Sequence, residues 1–280
     1  MDAAAERVTL VHRESTRLTH YLHSLPQEAW SQPSACAQWQ VQDVVTHLLG
    51  GAELYAGSIA RGLQGDTSPP EGYPPAGTVT AAVRAEDGGQ HIIARRQQLG
   101  HQVLGTFEAA NQALNRLLAA VSASEWETPC YHPGGLFPVR WFRDARLGEL
   151  VIHGWDIRSR FESDAPLSPE SLPVLLDVCA ALTPGWAFWP GAPLATPVRY
   201  RCAVTGVVSA TMDIIVAGDK VRIDEASDVP PDVTFRCEAE TYVLVRYGRL
   251  RLADALATGR VVAEGDQAVA VAFGQWFKGI

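Results

Sequence analysis

The stretch Gly148-Glu149-Leu150-Val151-Ile152-His153-Gly154-Trp155-Asp156 decides how the rest of the chain is read. It lies within a run of helical apolar spacing that predicts a helix over about 139–161. Glu149 and His153 stand four residues apart, so their side chains share one helix face, one turn apart. A carboxylate oxygen and an imidazole nitrogen placed this way can reach a single cation. A third ligand must then come from another segment.

Asp43-Val44-Val45-Thr46-His47-Leu48-Leu49 offers one. His47 falls mid-helix among Val44, Leu48 and Leu49, where an imidazole needs a polar partner to offset the cost of burial. Two His and one Glu with a fourth position open form a catalytic zinc set, as distinct from a closed structural one. Nickel, iron or cobalt are accepted by the same donors. The single carboxylate leaves such a site net positive, able to lower the pKa of a bound water or thiol. The spacing alone keeps other readings open. Glu and His at this separation also occur as a solvated pair, and a mid-helix histidine also occurs as a hydrogen-bonded core residue. Asp43, one turn before His47, and Asp156, three residues after His153, each read either as a carboxylate orienting an imidazole or as a plain helix charge.

Around these two segments the pattern predicts a first helix over 8–25, stopped by Pro26, and a second from Val41 to about Ile59. A Gly- and Pro-rich loop follows over 62–78, with Pro69, Pro70, Pro74 and Pro75. A third helix is expected over 81–121, broken near Gly88-Gly89, and then a loop over 128–138. Four helices with irregular connections suggest a bundle, whose core commonly holds metals on facing helices. After Phe161 the texture changes to prolines, one helix over 169–182, strand-like runs over 198–208, 210–216, 220–223 and 232–237, and helices over 239–247, 252–258 and 266–277. Strands followed by helices read as an α+β domain. The expected organisation is a four-helix bundle over 1–164 and a smaller α+β domain over 165–280.

Composition narrows the function classes. With 23 Lys+Arg against 31 Asp+Glu, the formal charge of -8 disfavours nucleic acid as a partner. No apolar run reaches the ~18–20 residues of a membrane span, and the first residues lack a secretory pattern. The five cysteines are widely spaced without a CxxC, which argues for buried reduced thiols and a cytoplasmic setting. The chain carries no GxGxxG, P-loop, GxSxG or HExxH motif.

The segments Trp39-Gln40-Val41-Gln42-Asp43-Val44-Val45-Thr46-His47-Leu48 and Gly148 to Asp156 resemble the mycothiol-dependent maleylpyruvate isomerase family, within the DinB-like superfamily. The tail from Tyr242 to Asp266 is similar to sterol carrier protein type-2 domains. The resemblance implies a DinB-like bundle with His47, Glu149 and His153 as ligands of Zn2+ or another divalent metal. It also implies a low-molecular-weight thiol such as mycothiol, bound as thiolate for addition to an electrophilic small molecule. An arginine of the C-terminal domain takes part in the family, and Arg246 and Arg249 are the candidates here. The leading expectation is thus a thiol S-transferase. The alternatives are a maleylpyruvate cis–trans isomerase, a non-catalytic ligand-binding protein in which Trp186, Phe188 and Trp189 line a pocket, and a metal-dependent hydrolase. Monomer and homodimer are both compatible with the sequence.

Overall fold

Leucine and valine repeating at helical spacing, with no interior proline, make Ala3–Ser24 (α1) and Val41–Gly62 (α2) helices. Pro26 follows the end of α1. At the start of α2, Asp43 accepts the Gln40 backbone N–H at 2.9 Å, satisfying a helix-end donor. A computed structural model of the protein describes residues 3–79, 89–190 and 196–279. The chain separates into two compact units, Met1–Leu167 and Ser168–Ile280.

In the first unit the expected third helix lies partly outside the described residues, which exclude 80–88. Its described part is two helices. Gln90–Leu99 (α3) starts just after Gly89, whose φ of 72° is left-handed. Val103–Ala120 (α4) follows a break at Gly100, whose φ of 54° ends α3. Val139–Arg158 (α5) completes the bundle. α1 and α2 each pack against α4 and α5, so the four long helices close a ring around one core. Val44, Leu48, Leu49, Phe107, Leu114, Leu118, Phe142 and Leu147 fill it. Each such side chain contributes roughly 1.5–3 kcal/mol by leaving water.

The loop expected over 128–138 is instead a hairpin, Pro129–His132 (β1) antiparallel to Gly135–Pro138 (β2). Both prolines sit at the outer ends of the ladder, where their missing N–H costs no bond, and Gly135 makes the turn with φ 150°. The 62–78 loop lies against this hairpin: Tyr131 donates to the Pro74 carbonyl, and Gly77 N–H to that of Pro133.

The second unit opens with Leu172–Leu182 (α6). It then builds a five-stranded sheet from Val198–Thr205 (β3), Ala210–Ala217 (β4), Lys220–Glu225 (β5), Val233–Glu238 (β6) and Val261–Gly265 (β7). The strand order is β5-β4-β3-β6-β7, with only the β3–β6 pair parallel. β7 is an addition to the expected strands, too short at five residues to show alternation. Ala239–Arg246 (α7), Leu252–Ala257 (α8) and Gln267–Trp276 (α9) follow. Tyr200 and Phe235 on one sheet face meet Phe273 of α9 at ring-centroid distances of 5.0 and 5.1 Å. On the other face, fully buried Asp213 receives Arg199 and Arg201, each at 2.8 Å. Phe188, expected to line a pocket, is 7% exposed and packs on Trp276 and Phe277. No described helix is long and apolar enough to cross a membrane.

Two glycines of α2 give a controlled test of the packing. A Cβ on Gly62 would come 2.3 Å from the Cys130 sulfur and 2.9 Å from the Pro129 carbonyl, whereas one on Gly57 would meet nothing within 4 Å. Gly62→Ala is expected to destabilise the chain by about 1–3 kcal/mol in denaturant unfolding. Gly57→Ala should stabilise it by up to ~1 kcal/mol through helix propensity. Equal effects of the two would show that the helix–hairpin contact is not tight.

Candidate metal centre

α2 and α5 run antiparallel, so residues early in one helix face residues late in the other. His47 Nε2 lies 2.8 Å from Glu149 Oε2, and His153 Nε2 approaches the same oxygen at 3.4 Å. The two imidazoles sit edge to face with centroids 4.7 Å apart. One donor atom from each of the three residues lies within 4.8 Å of the others. The other nitrogen of His153, Nδ1, is 2.9 Å from Asp156 Oδ2. Asp156 is wholly buried, and its other neighbour is the Cys36 thiol, which donates to Oδ2 at 2.9 Å. Cys36, His153 and Asp156 form a second group with ligand-like spacing. That group is already closed by its own hydrogen bonds, whereas the first faces outward: the side chains of His47 and Glu149 each keep 31% exposure. The centre therefore has a buried back wall and an accessible front.

Its electrostatics follow from this placement. Burial lowers the His47 pKa, against the pull of Glu149. Burial would also lower that of His153, but hydrogen bonds from Asp156, Cys36 and Glu149 outweigh it and hold the ring well above the ordinary histidine value. Burial works to raise Glu149, yet the two imidazoles facing it prevail, and its carboxyl stays well below the usual carboxylate range. The proton shared by this cluster thus belongs on His153, between two carboxylates. A divalent cation suits the same donors, because His153 commits Nδ1 to Asp156 and leaves Nε2 for the centre.

Several neighbours lay beyond the sequence reading. The 32–40 loop is tied down by a Ser34 N–H bond to the Trp39 carbonyl and an Ala35 N–H bond to the Asp156 carbonyl, both 2.9 Å. It sets Cys36 behind His153 and the Trp39 ring 5.2 Å from that of His47. Gly89 lies flat on Trp39; a Cβ there would come 2.6 Å from the indole nitrogen. Arg146, one turn before Glu149, is 0% exposed and donates to the Leu48 carbonyl at 2.9 Å and to Asn111 Oδ1 at 3.0 Å. Burial lowers its pKa to about 10, opposed by Glu149 and Tyr55, which leaves it a cation at neutral pH. The three-residue spacing to Glu149 was the visible signal for Arg146; nothing in the linear pattern pointed to Cys36.

Of the two carboxylates with open readings, Asp156 touches the His153 ring. Asp43 spends its oxygens on the Gln40 N–H and on Arg96 Nε, at 2.9 Å each. In the second unit, Arg246 is 1% exposed, donates to Thr183 Oγ1 at 2.5 Å, and lies 4.5 Å over the Phe277 ring. Arg249 is half-buried and donates to the Tyr247 carbonyl at 2.7 Å.

The profile of the mycothiol maleylpyruvate isomerase N-terminal domain matches residues 11–158, and that of the SCP-2 sterol transfer family matches residues 194–278. Among solved structures, a mycothiol-dependent maleylpyruvate isomerase superposes with a TM-score of 0.63 at 15% identity, over 93% of this chain and 92% of that one. A point mutant of such an isomerase gives 0.62 at 14% identity over the same shares. At these identities the likeness is one of fold. No curated protein matches the chain in sequence.

The thiols separate by environment. Burial pushes Cys130 and Cys237 up to about 11 and Cys179 and Cys202 up to about 12, while Cys36 is half-exposed. At pH 8 a thiol with a pKa near 11 is thiolate in only about one molecule in a thousand. A thiol-specific reagent at pH 8 should therefore label at most Cys36 quickly in the native chain, and the other four only after unfolding. Fast labelling of Cys130 or Cys202 in the folded protein would contradict this.

Proposed function

The chain belongs to the mycothiol maleylpyruvate isomerase N-terminal domain family, and from that premise we propose that it is a metal-dependent enzyme using a low-molecular-weight thiol, mycothiol or a close analogue, as an S-transferase. The observation that carries the reading is the convergence of His47 Nε2 and His153 Nε2 on one oxygen of Glu149, at the accessible front of an otherwise buried wall. His47, Glu149 and His153 are the residues that would hold the metal, zinc being the first choice for two imidazoles and one carboxylate. A divalent cation there supplies the positive charge that favours a thiolate over a thiol at neutral pH.

The protein's own groups do the rest. Asp156 accepts the Nδ1–H of His153 and fixes the ring with Nε2 toward the centre. Trp39 covers one side of His47 and limits water there. The exposed edges of His47 and Glu149 give a small molecule access. The thiolate sulfur then bonds to an electrophilic carbon. In transfer the sulfur stays attached: either a leaving group departs with its bonding electron pair, or, at a double bond, the π pair moves to the neighbouring carbon, which takes up a proton from water. Of the two arginines, Arg249 has solvent access and Arg246 does not.

A second reading is thiol-dependent isomerisation, in which the sulfur adds to a double bond, the carbon–carbon bond rotates, and the sulfur leaves. The likeness of fold to the isomerase along 93% of this chain favours it. The two readings share their first step and part on the fate of the thiol. With monobromobimane a transferase consumes mycothiol in step with S-alkylated product and released bromide; with maleylpyruvate an isomerase turns over substrate and returns mycothiol unchanged. No turnover with any electrophile by the zinc-loaded protein would end the enzyme reading.

Two further outcomes are expected. Protein purified without a histidine tag should carry about one zinc per chain by elemental analysis, lost in His47→Ala and His153→Ala while the helical signal persists. Since the metal-free chain holds a proton on His153, zinc uptake near pH 7 should release about one proton, and apparent affinity should rise with pH up to the raised His153 pKa. Calorimetry in buffers of different ionisation enthalpy measures that proton. Zinc uptake with no proton released would place the metal elsewhere.

A further inference from the structure

We propose that Arg146 is a positioning residue for the metal centre, holding the α2 and α5 ligands in register from inside the bundle. The proposal rests on the reading of His47, Glu149 and His153 as metal ligands.

Arg146 and Arg246 are the largest fully buried side chains among the described residues, and Arg146 is 0% exposed. Its guanidinium bridges two other helices: Nη1 binds the carbonyl of Leu48, the residue following His47, and Nη2 binds Asn111 on α4. Asn111 Oδ1 also accepts from Ser15 on α1 at 3.3 Å. One polar network therefore touches all four long helices, and its centre lies one turn before Glu149. The Nε atom has no hydrogen-bond partner among the described residues.

A buried cation is a costly way to fill space. A Leu or Met of similar bulk would occupy the same core without the loss of hydration, so packing alone does not call for an arginine here. What the guanidinium adds is a rigid planar fork whose bonds have fixed directions. Sliding α5 by one residue along α2, about 1.5 Å, would break the bond to Leu48 and carry Glu149 out of reach of His47.

The test measures the zinc dissociation constant by chelator competition on the full chain, for wild type, Arg146→Met, Arg146→Lys and Asn111→Leu. Circular dichroism and thermal melting are recorded for each. Arg146→Met should weaken zinc binding about ten- to a hundredfold while the bundle stays helical. Arg146→Lys restores the charge without the fork and should fall between. Asn111→Leu leaves the Leu48 bond in place and should cost a few-fold. A merely structural arginine would lower the melting temperature of Arg146→Met and leave the zinc constant within twofold, and that result overturns the proposal. If Arg146→Met does not fold, unchanged constants in both Arg146→Lys and Asn111→Leu overturn it equally. Wild type that takes up no zinc removes the metal centre itself, and the positioning role with it. Zinc held alike by wild type and Arg146→Met removes the positioning role alone.

Discussion

Two imidazoles from different helices meet on one carboxylate oxygen, and the arrangement of the first unit follows from keeping them there. His47 and His153 approach Glu149 Oε2 at 2.8 and 3.4 Å. The polar atoms in this contact are costly to place beside a core of Leu, Val and Phe unless each has a partner. Partners come from both sides. Asp156 takes the far nitrogen of His153, and the 32–40 loop delivers Cys36 to the same carboxylate. Removing one member would leave another buried and unsatisfied, so the cluster behaves as a unit.

The bundle meets this constraint by stacking layers along the α2–α5 seam. At one level stand His47, Glu149 and His153. One turn deeper, Arg146 reaches the α2 backbone beside Gly51, where a Cβ would sit 3.6 Å from its Nη1. Another turn on, Tyr55 packs against Phe142 at 5.3 Å and Trp141 at 6.2 Å. Polar, cationic and aromatic layers follow one another along the seam.

How much of this the sequence shows depends on how local each signal is. Glu149 and His153 share a helix, so their spacing states their geometry directly. His47 belongs to another helix, and only its apolar setting marked it. The long helices announce themselves because 18 to 22 residues give several turns of periodicity. The β1–β2 hairpin, at four residues a strand, offers none and looked like a loop. Cys36 illustrates the limit. It reaches His153 across 117 positions through a turn in which Gln38 adopts a φ of 71°, and no local pattern encodes that path. Asp43 and Asp156 each stand about one turn from a histidine, four residues before His47 and three after His153, yet one caps its helix and the other holds the ring. The difference is which face each presents, and that is settled by Arg96 and Cys36 arriving from elsewhere.

The second unit makes a separate argument about where chemistry resides. Its core is complete in itself: Tyr200, Phe235 and Phe273 pack together between sheet and helix, and Arg246 is sealed against Thr183 and Phe277. A guanidinium enclosed like this is withdrawn from solvent, whereas Arg249, three residues beyond the end of α7, is turned partly to solvent after Gly248, whose φ is 73°. A left-handed glycine is what lets the chain leave the helix at that point and present the next side chain outward. Two arginines three positions apart thereby acquire opposite characters from one backbone angle. The same logic separates Glu149 from Arg146 in the bundle. There, two charged side chains three positions apart on one helix both meet α2, but Glu149 does so at its half-exposed edge beside His47, while Arg146 turns inward to Asn111 as well.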